Sequence, residues 1–558
     1  MRRVPRRTRD STDDQDRRMT QAATAPADSQ GKMPRQIAFI IGNEAAERFS
    51  FYGMRNILTA FLVGTLLMAS TGDLAERERM AKDVFHTFMI GTYFFPLLGG
   101  WLADRYFGKY NTVIWFSLVY CAGHACLALF EHNQTGFYTG LFLIAFGAGG
   151  IKPLVVSFCG DQFDQSNKHK AKLVFDAFYW TINFGSLFAS LLMPIFLREY
   201  GPSVAFGIPG ALMFLATFIF WLGRKRYVMV PPTRNAPDPD SFFNVARTAL
   251  RAKAPGQGNP GVAVAAVGVA LAAGALALIP SLGFVKSACM ALGLLIGFGG
   301  YGISLQLERA RGAHPDAAVD GVRAVLRILI VFAFVTPFWS LFDQKASTWV
   351  LQGQRMVVPT ELWWWPSWLI SGEGGAKAAA SQMQAINPLL VMLLIPFNNL
   401  VLYPALRGIG INPTPLRRMG FGIAVSGLSW IVAAVLQLYM DAGHPMSLAW
   451  QIVPYILLTF GEVLVSATAL EFAYSQSPQS MKGVIMALWY LTSTFGNLWV
   501  MLTNAAVRNE AVTSHIAATG LSENAFLMFF FAGFAFVAAA AFGLYARRYP
   551  MQDHYRAA

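Results

Sequence analysis

Long apolar runs recur along the chain and are separated by short polar segments. Most are about twenty residues or longer, which is the length an α-helix needs to cross a bilayer. The runs form three groups of six, two and six, and the predicted spans are about 36–68, 82–105, 110–131, 136–160, 172–198 and 204–224, then 261–281 and 284–306, then 322–352, 381–406, 418–440, 448–474, 481–505 and 524–547. The pattern predicts an all-α membrane protein with about fourteen spans, built as two six-helix bundles with two extra helices between them.

Composition supports this fold class. The chain has 558 residues, of which 55% are hydrophobic and only 13% are charged, and a soluble domain of this size carries far more charge. The net charge of +13 would suggest nucleic acid as a partner of a soluble protein. Here Lys and Arg gather in alternate loops, so we predict no nucleic-acid partner and a bilayer around the spans.

The basic loops also predict the orientation. The positive-inside rule places the N-terminus, Arg105/Lys109, Lys168/Lys170/Lys172, residues 224–253, Arg407/Arg417/Arg418 and Arg547/Arg548 in the cytoplasm. The predicted location is therefore the cell inner membrane with both termini cytoplasmic, and the loops 69–81 and 441–447 outside. Trp363–Trp368, also on the outer side, is interpreted as an aromatic anchor at the lipid boundary, with ligand binding as the alternative.

The same pattern divides the chain into segments. Predicted boundaries are a disordered cytoplasmic N-terminus at 1–33, an N-terminal bundle at 34–226, a cytoplasmic linker with two extra spans at 227–318, a C-terminal bundle at 319–550 and a tail at 551–558. The N-terminus lacks the apolar core of a cleaved signal peptide, and Met19 and Met33 are alternative starts. The two middle spans are poor in polar groups and are interpreted as structural; Lys286 is near an end and can snorkel.

The first span carries charges inside an apolar run. A single ionisable side chain at mid-bilayer costs about 2.5–3.5 kcal/mol on insertion scales, and this span contains Glu44, Glu47, Arg48 and Arg55. Helical periodicity places Glu44, Arg48 and Arg55 within about 40° on one face, with Glu47 and Tyr52 beside them. The spacing indicates a polar seam that lines a watery path, where the charges neutralise one another.

The end of the second span carries a recognisable turn. Gly99-Gly-Trp-Leu-Ala-Asp104-Arg105-Tyr-Phe-Gly108-Lys109 resembles the loop between spans two and three of the major facilitator superfamily. The resemblance implies that the glycines let helices approach closely and that Asp104 and Arg105 take part in an inner gate. It also implies two bundles with a substrate site between them near mid-bilayer.

Further motifs narrow the resemblance to one family within this superfamily. In order they are Glu44-Ala-Ala-Glu47-Arg48-Phe-Ser-Phe-Tyr52-Gly, Gly149-Gly-Ile-Lys152-Pro153, Phe158-Cys-Gly-Asp161-Gln-Phe, Phe178-Tyr179-Trp-Thr-Ile-Asn183-Phe-Gly185-Ser, Phe338-Trp339-Ser-Leu-Phe-Asp343-Gln344, Gly461-Glu462-Val, Leu470-Glu471-Phe-Ala-Tyr474-Ser-Gln-Ser-Pro478, and Trp489 with Gly496-Asn497. Together they resemble the proton-dependent oligopeptide transporters (the POT or PTR family), and the two middle spans resemble prokaryotic members.

The resemblance implies a proton-coupled symporter for di- and tripeptides that works by alternating access, without an enzymatic activity, a cofactor or a metal, as a monomer. Cationic side chains suit the peptide carboxylate, and Glu462 suits the ammonium group. The implied substrate contacts are Arg48, Tyr52, Arg55, Tyr93, Lys152, Asn183, Trp339, Asn387, Glu462, Trp489 and Ser493.

The implied proton-coupling residues are Glu44, Glu47, Arg48, His86, Lys152 and Asp343. One hypothesis is that Lys152 pairs with a carboxylate of span one in one state and is released to the substrate when that carboxylate is protonated. The alternatives are a purely structural ion-pair network for span one and Lys152, a cap or helix–helix hydrogen bond for Asp343, and packing for His86. Imidazole suits a proton relay because its unperturbed pKa is near 6.5.

Other readings stay open beside this one. Arg327 matches a gate arginine that pairs with an aspartate in some animal members, but the matching position here is Asn399, so that contact must differ. A carrier of nitrate or another small anion or peptide-like solute could use the same fold, although it would not need Glu462. An intramembrane enzyme lacks support, because the chain has no GxSxG or HExxH motif. For a signalling receptor, the chain lacks an appended soluble domain, and uptake into liposomes would distinguish a receptor from a carrier.

The cysteines Cys121, Cys126, Cys159 and Cys289 are interpreted as packing residues.

Overall fold

The computed structural model describes residues 33–163, 171–232, 238–252, 258–359, 375–476 and 481–550. The predicted aromatic anchor Trp363–Trp368, the basic residues Lys168 and Lys170, the N-terminus before residue 33 and the tail at 551–558 lie outside the described residues. The fold below is built from the described residues alone.

Six helices form the N-terminal bundle. The continuous helical segment Ala171–Leu222 bends at Gly201, whose φ of 80° is outside the helical region, so the segment crosses the membrane twice, as the sequence predicts. The helices are α1 (Ile37–Gly64), α2 (Leu74–Leu102), α3 (Lys109–Leu129), α4 (Gln134–Gly160), α5 (171–200) and α6 (202–222).

Among the described residues, three helices longer than one turn lie between the bundles: α7 (Phe242–Arg251), α8 (Pro260–Ala277) and α9 (Phe284–Gln306). The α8–α9 hairpin packs closely on itself, because a Cβ at Gly261 would lie 2.3 Å from the carbonyl oxygen of Gly302, and one at Gly302 would lie 2.4 Å from that of Gly261. The sequence predicts only a basic hydrophilic stretch at 224–253. The amphipathic helix α7 is a difference from that prediction, and it forms because Val245 and Ala249 are buried against the start of the second bundle.

Six spanning helices and one short helix form the C-terminal bundle. The first of them continues through short helical turns to Gly353. The helices are α10 (Asp316–Asp343), α11 (Lys377–Gly408), α12 (Pro415–Asp441), α13 (Ile452–Gln476), α14 (Lys482–Ala506), α15 (Glu510–Ala518) and α16 (Glu523–Ala546).

The arrangement of spans agrees with the predicted six, two and six. Among the described residues, twelve helical segments are long and apolar enough to cross a membrane. One of these segments is α5 with α6, and α2 is not among the twelve because polar residues such as His86 lower the hydropathy of its apolar part. Counting α5 and α6 as two spans and adding α2 gives fourteen spans.

One predicted boundary is wrong. The sequence predicts that residues 69–81 are a loop and that the second span starts at about 82, but α2 begins at Leu74. Asp73 caps this helix, with its side chain accepting a hydrogen bond from the backbone N–H of Ala75. Hydropathy alone missed the first turns because their charged side chains meet partners on other helices rather than solvent.

Each bundle has its own apolar core. In the first bundle the rings of Phe61, Phe137 and Phe206 pack with centroid separations of 5.0–5.3 Å. In the second bundle Trp349 packs against Trp430 and Tyr455, at 5.7 and 5.0 Å. The bundles meet mainly where α2 packs against α14 and where α5 packs against α11. Polar residues at this junction form the site described next.

A charged site between the two bundles

The polar seam of α1 is buried and internally paired. Arg48 Nε donates to Glu44 Oε1 at 2.6 Å and lies 3.1 Å from Glu47 Oε2. Both glutamates have no exposed surface, and Arg48 is 8% exposed. One guanidinium therefore stands between two carboxylates, which leaves the group of three with a net negative charge when both carboxylates are ionised.

Arg55 differs from the predicted seam because its partner is in the other bundle. Its Nη2 lies 2.9 Å from Oδ1 of Asp343 on α10, and the two side chains are 5% and 1% exposed. One turn further along α1, Thr59 Oγ1 donates to the carbonyl oxygen of Ala346 at 2.8 Å. Together these contacts join the bundles through a buried ion pair.

A chain of hydrogen bonds extends this ion pair to α2 and α14. Asn497 Nδ2 donates to Asp343 Oδ2 at 2.8 Å, and Asn497 Oδ1 lies 2.6 Å from His86 Nδ1. With this amide orientation, which follows from the network rather than from visible hydrogens, His86 Nδ1 carries a hydrogen and donates it. His86 Nε2 lies 3.1 Å from Ser347 Oγ. His86 on α2 therefore contacts both α14 and the extension of α10, and it is linked to Asp343 through Asn497.

Lys152 lies against aromatic rings. Its Nζ is 3.6 Å from the centroid of Phe51 and 5.2 Å from that of Tyr93. Among the described residues Lys152 has no carboxylate within 4.0 Å, and it is 8% exposed. Aromatic rings stabilise a lysine cation without neutralising it, so in this conformation Lys152 is available to an anion at the junction of the bundles.

The second bundle supplies a separate polar group. Lys345 Nζ donates to Asn387 Oδ1 at 2.7 Å, while Asn387 Nδ2 donates to Glu462 Oε2 at 2.5 Å and to Thr459 Oγ1 at 3.0 Å. Asn387 therefore links Lys345, on the extension of α10, to Glu462 on α13. Lys345 was not among the predicted site residues; the available signal was a lysine two positions after Asp343 inside an apolar run.

The remaining predicted contacts differ in how closely the structure brings them together. Trp339 lies between Tyr93 and Trp489, with centroid separations of 6.4 and 6.1 Å. Ser493 accepts from Asn497 through its backbone carbonyl at 2.9 Å. Asn183 Nδ2 donates to the carbonyl of Tyr179 on its own helix at 2.9 Å, and half-buried Tyr52 packs edge-on against Phe51 at 5.5 Å.

The predicted gate residues lie away from this site. Asp104 and Arg105 are exposed in the turn after α2, and in the described part of the chain neither forms an ion pair. Nearby, Lys109 pairs with Asp161 at 2.7 Å, across the ends of α3 and α4. Arg327 is half-buried on α10, and Asn399, the position that replaces an aspartate, is exposed.

The opposite end of the molecule carries charges that the sequence interpretation missed. We call them the ion-pair cluster; its members are Glu76, Glu78, Arg79, Asp83, Arg355, Arg508 and Glu523. Arg79 Nη2 lies 2.5 Å from Glu523 Oε2, and Arg355 Nη2 lies 2.6 Å from Glu78 Oε1. Lys286 of α9 lies 3.9 Å from Asp83. The cluster joins α2 to the second bundle at the end that carries the α1–α2 turn. It was missed because six of its seven members fall outside the predicted spans, three of them in the predicted loop 69–81.

The two bundles, the charged groups at their junction and the spanning helices define a multi-pass membrane transporter of the major facilitator type. Among the described residues no group of three or more His, Cys, Asp or Glu could hold a metal ion. The family described as "POT family" matches residues 110–520, and the family described as "MFS/sugar transport protein" matches residues 11–201. The chain belongs to the POT family, which is a family of transporters and not of enzymes.

Solved structures show the same fold over nearly the whole chain. One is described as an auto inhibited POT family peptide transporter: it is 67% identical, with a TM-score of 0.88, over 94% of this chain and 99% of that one. Another, the POT family transporter PepTSo, is 62% identical with a TM-score of 0.88, over 94% of this chain and all of that one. These similarities confirm the predicted architecture.

Animal proteins are related more distantly. "Peptide transporter 3" of Caenorhabditis elegans is 31% identical over 425 residues, which is 73% of this chain and 51% of that protein. "Solute carrier family 15 member 1" of Homo sapiens is 29% identical over 443 residues, which is 74% of this chain and 53% of that protein. This chain therefore spans about half the length of these relatives.

Proposed function

We propose that this protein is a proton-coupled symporter that imports di- and tripeptides across the inner membrane by alternating access. It acts as a monomer, with peptide and protons as its partners and no cofactor. Both termini lie in the cytoplasm, and the bundle boundaries 34–226 and 319–550 stay as predicted. The peptide transporters that share its fold at more than 60% identity support this proposal.

The observation that carries the proposal is the buried Arg55–Asp343 pair and its hydrogen-bonded link to His86. It is a contact between the bundles whose strength depends on the protonation of Asp343. When Asp343 takes up a proton, Arg55 loses its counter-ion, and the contact that joins α1 to α10 weakens. A proton can in this way bias which end of the molecule is open.

Peptide chemistry fits the charges on the two sides. A short peptide ends in a carboxylate and an ammonium group, with variable side chains between. Lys152 and the α1 arginines supply cations on the first bundle, and half-buried Glu462 supplies an anion on the second. Trp339 and Trp489 offer flat apolar surfaces that accept many side chains. An anion carrier has no use for Glu462, so peptide is the better substrate class.

Lys152 also fits a coupling role. In this conformation Arg48 holds both glutamates of α1, and Lys152 is held only by aromatic rings. This arrangement corresponds to the released lysine of the hypothesis, in which a free cation serves the substrate carboxylate. In the other conformation Lys152 would pair with Glu44 or Glu47.

The orientation assigns the ion-pair cluster to the outer face, because the basic loops lie at the other end. The structure is then closed toward the outside by the cluster and by the Arg55–Asp343 pair. Inward movement of one unit charge across 100 mV releases about 2.3 kcal/mol. One proton per cycle therefore sustains an accumulation of roughly tens-fold, because about 1.4 kcal/mol is a factor of ten.

The test is uptake of labelled dialanine into proteoliposomes with an alkaline, electrically negative interior. We expect accumulation that collapses with a protonophore and with unlabelled di- or tripeptides. Asp343→Asn should lose gradient-driven accumulation but keep exchange of dialanine across the membrane, because it cannot take up the proton. The matched control is Asp73→Asn, at the exposed cap of α2, where Asn caps equally well.

Two results would overturn the proposal. Folded protein that exchanges nitrate but not dialanine would move the substrate class to small anions. Full accumulation by Asp343→Asn would remove this carboxylate from coupling while leaving peptide transport in place.

A further inference from the structure

A large cavity lies between the extra helix α9 and the second bundle. It is lined by α9, α10 and α14, and its volume is about 890 Å³, within the range of about 300–1,000 Å³ that is typical of ligand sites. It lies on the side of the second bundle that faces α9, apart from the charged site between the bundles. Its α10 wall includes Ile330 and Arg327 but not Asp343. None of the predicted substrate contacts lines it.

The cavity exists because α9 contacts the second bundle at few points. Toward one end, a Cβ at Gly293 would lie 3.2 Å from the ring of Phe495, so the helices touch there. One turn further along α9, a Cβ at Gly297 would meet nothing within 4 Å. Most of the packing of α9 is against α8, and the walls of the gap are mostly apolar, with Leu as the most frequent residue.

The mouth of the cavity faces the surface that meets lipid. Tyr301, Ile330 and Trp499 line it and are 60%, 44% and 42% exposed. On α10 the lining runs from Arg323 to Thr336, which at about 1.5 Å per residue is roughly 20 Å. One leaflet of hydrocarbon is about half of the 30 Å bilayer core, so the cavity is long enough to extend from headgroup level to the bilayer midplane.

One end of this apolar cavity is basic. Arg323 and Arg327 lie four residues apart on α10 and therefore share one face. Arg323 is neutralised, since it pairs with Glu308 and Asp320. Arg327 is half-buried, and among the described residues its guanidinium has neither an ion-pair partner nor a hydrogen-bond acceptor. A cation without a protein partner at the end of an apolar cavity is suited to an anionic group from outside the chain.

We propose that this cavity binds an anionic phospholipid of the cytoplasmic leaflet. Its acyl chains occupy the space between α9, α10 and α14, and its phosphate accepts hydrogen bonds from Arg327. Guanidinium binds phosphate with two parallel hydrogen bonds, and basic pockets between membrane helices on the cytoplasmic side suit anionic headgroups. The lipid would act as a wedge that fixes the distance between the hairpin and the second bundle.

The experiment is native mass spectrometry of the full chain in detergent with equal amounts of phosphatidylglycerol and phosphatidylcholine of matched chains. We expect one phosphatidylglycerol to be retained at least fivefold over phosphatidylcholine. Arg327→Gln should remove this preference while retaining some lipid of either kind. Gly297→Leu should lower retention of both lipids, because its side chain fills the open part of the cavity. Arg224→Gln is the control: it is a basic side chain on the first bundle, stacked on Trp221 at 3.5 Å.

Equal retention of the two lipids by the unmodified chain would show only bulk acyl chains in the cavity and would overturn the proposal. Unchanged preference in Arg327→Gln would do the same, even if Gly297→Leu failed to fold. Inorganic phosphate should not displace the lipid at equal concentration, because it gains nothing from the apolar walls. Complete displacement would assign the site to a free anion.

Discussion

His86 is the residue with the sharpest expected effect on pH dependence. It donates through Nδ1 to Asn497 and approaches Ser347 through Nε2. A second proton on Nε2 would turn this nitrogen from an acceptor into a donor toward Ser347 Oγ and place a positive charge near Arg55. We predict that His86→Gln, which keeps a hydrogen-bonding side chain but does not titrate, flattens the pH profile of dialanine uptake and lowers gradient-driven accumulation at least tenfold.

The control for this prediction is His132→Ala, because His132 has a side chain that is 79% exposed and lies in a loop. Its pH profile should match that of the unmodified protein. A normal pH profile for His86→Gln would show that His86 only packs and hydrogen-bonds, which is the alternative that the sequence left open.

Lys152 gives a second prediction at this scale. Its charge is held by the rings of Phe51 and Tyr93, so its removal leaves no unpaired carboxylate behind in this conformation. We predict that Lys152→Ala remains folded but loses gradient-driven uptake at least tenfold. Uptake and thermal unfolding would be measured together, with Lys225→Ala, an exposed lysine at the end of the first bundle, as the control. Full uptake by Lys152→Ala would exclude it from coupling.

The sequence pointed to individual charged residues in the spans, but it did not identify their partners. A charge in an apolar span is conspicuous, so Glu44 and Arg48 could be selected from the pattern, whereas Asp343 was selected through the family motif that contains it. Spacing along one helix, however, relates only residues of that helix. It suggested that Arg55 belonged with Arg48, whereas the structure pairs Arg55 with a residue 288 positions away. Partners in another bundle depend on tertiary packing, which periodicity does not contain.

At the scale of helices, α2 and α4 meet at one glycine of a Gly-Gly pair. A Cβ at Gly99 would lie 2.3 Å from the carbonyl oxygen of Gly149, whereas one at Gly100 would meet nothing within 4 Å. We predict that Gly99→Ala lowers the melting temperature in detergent by several degrees, because the helices must separate. Gly100→Ala should leave it unchanged or raise it, since Ala is favoured over Gly in a helix by about 1 kcal/mol.

This pair of variants is its own control, because the same chemical change is made at adjacent positions of one helix. Equal melting temperatures would mean that α2 and α4 can move apart without cost and that the predicted role of the glycines is wrong for both. The sequence indicated close approach through the Gly-Gly pair, but it could not tell which glycine faces α4.

Helix boundaries show where hydropathy fails as a guide. The break between the fifth and sixth spans was predicted between residues 198 and 204, and the structure places the bend at Gly201. The start of α2 was not, because a helix whose charged face contacts another helix looks like a loop in composition. The same holds for α7, whose buried residues are too few to register as a span.

At the scale of the whole molecule, the ion-pair cluster stabilises one closed end. Arg508 lies 3.3 Å from Asp83 and 3.5 Å from Glu76. Half-exposed pairs of this kind contribute about 0–1 kcal/mol each, so a few of them shift a two-state population by severalfold. We predict that Arg508→Gln increases the fraction of molecules open at this end by up to about fivefold, with a further increase at high salt.

Distances between spin labels at exposed Leu74 and Val512 would measure that fraction, in a background whose native cysteines are replaced by alanine. Arg198→Gln is the control, because Arg198 pairs with its neighbour Glu199 and joins no bundles. An unchanged distance distribution for Arg508→Gln would mean that the buried Arg55–Asp343 pair closes this end without help from the surface.

The α8–α9 hairpin has a consequence for how the chain is made. Its two helices pack closely against each other at Gly261 and Gly302, and they make few packing contacts with the rest of the protein. As synthesis proceeds, the hairpin can therefore leave the insertion machinery as a finished unit while the second bundle is still on the ribosome. Insertion of the hairpin would then separate the assembly of the first six helices from that of the last six.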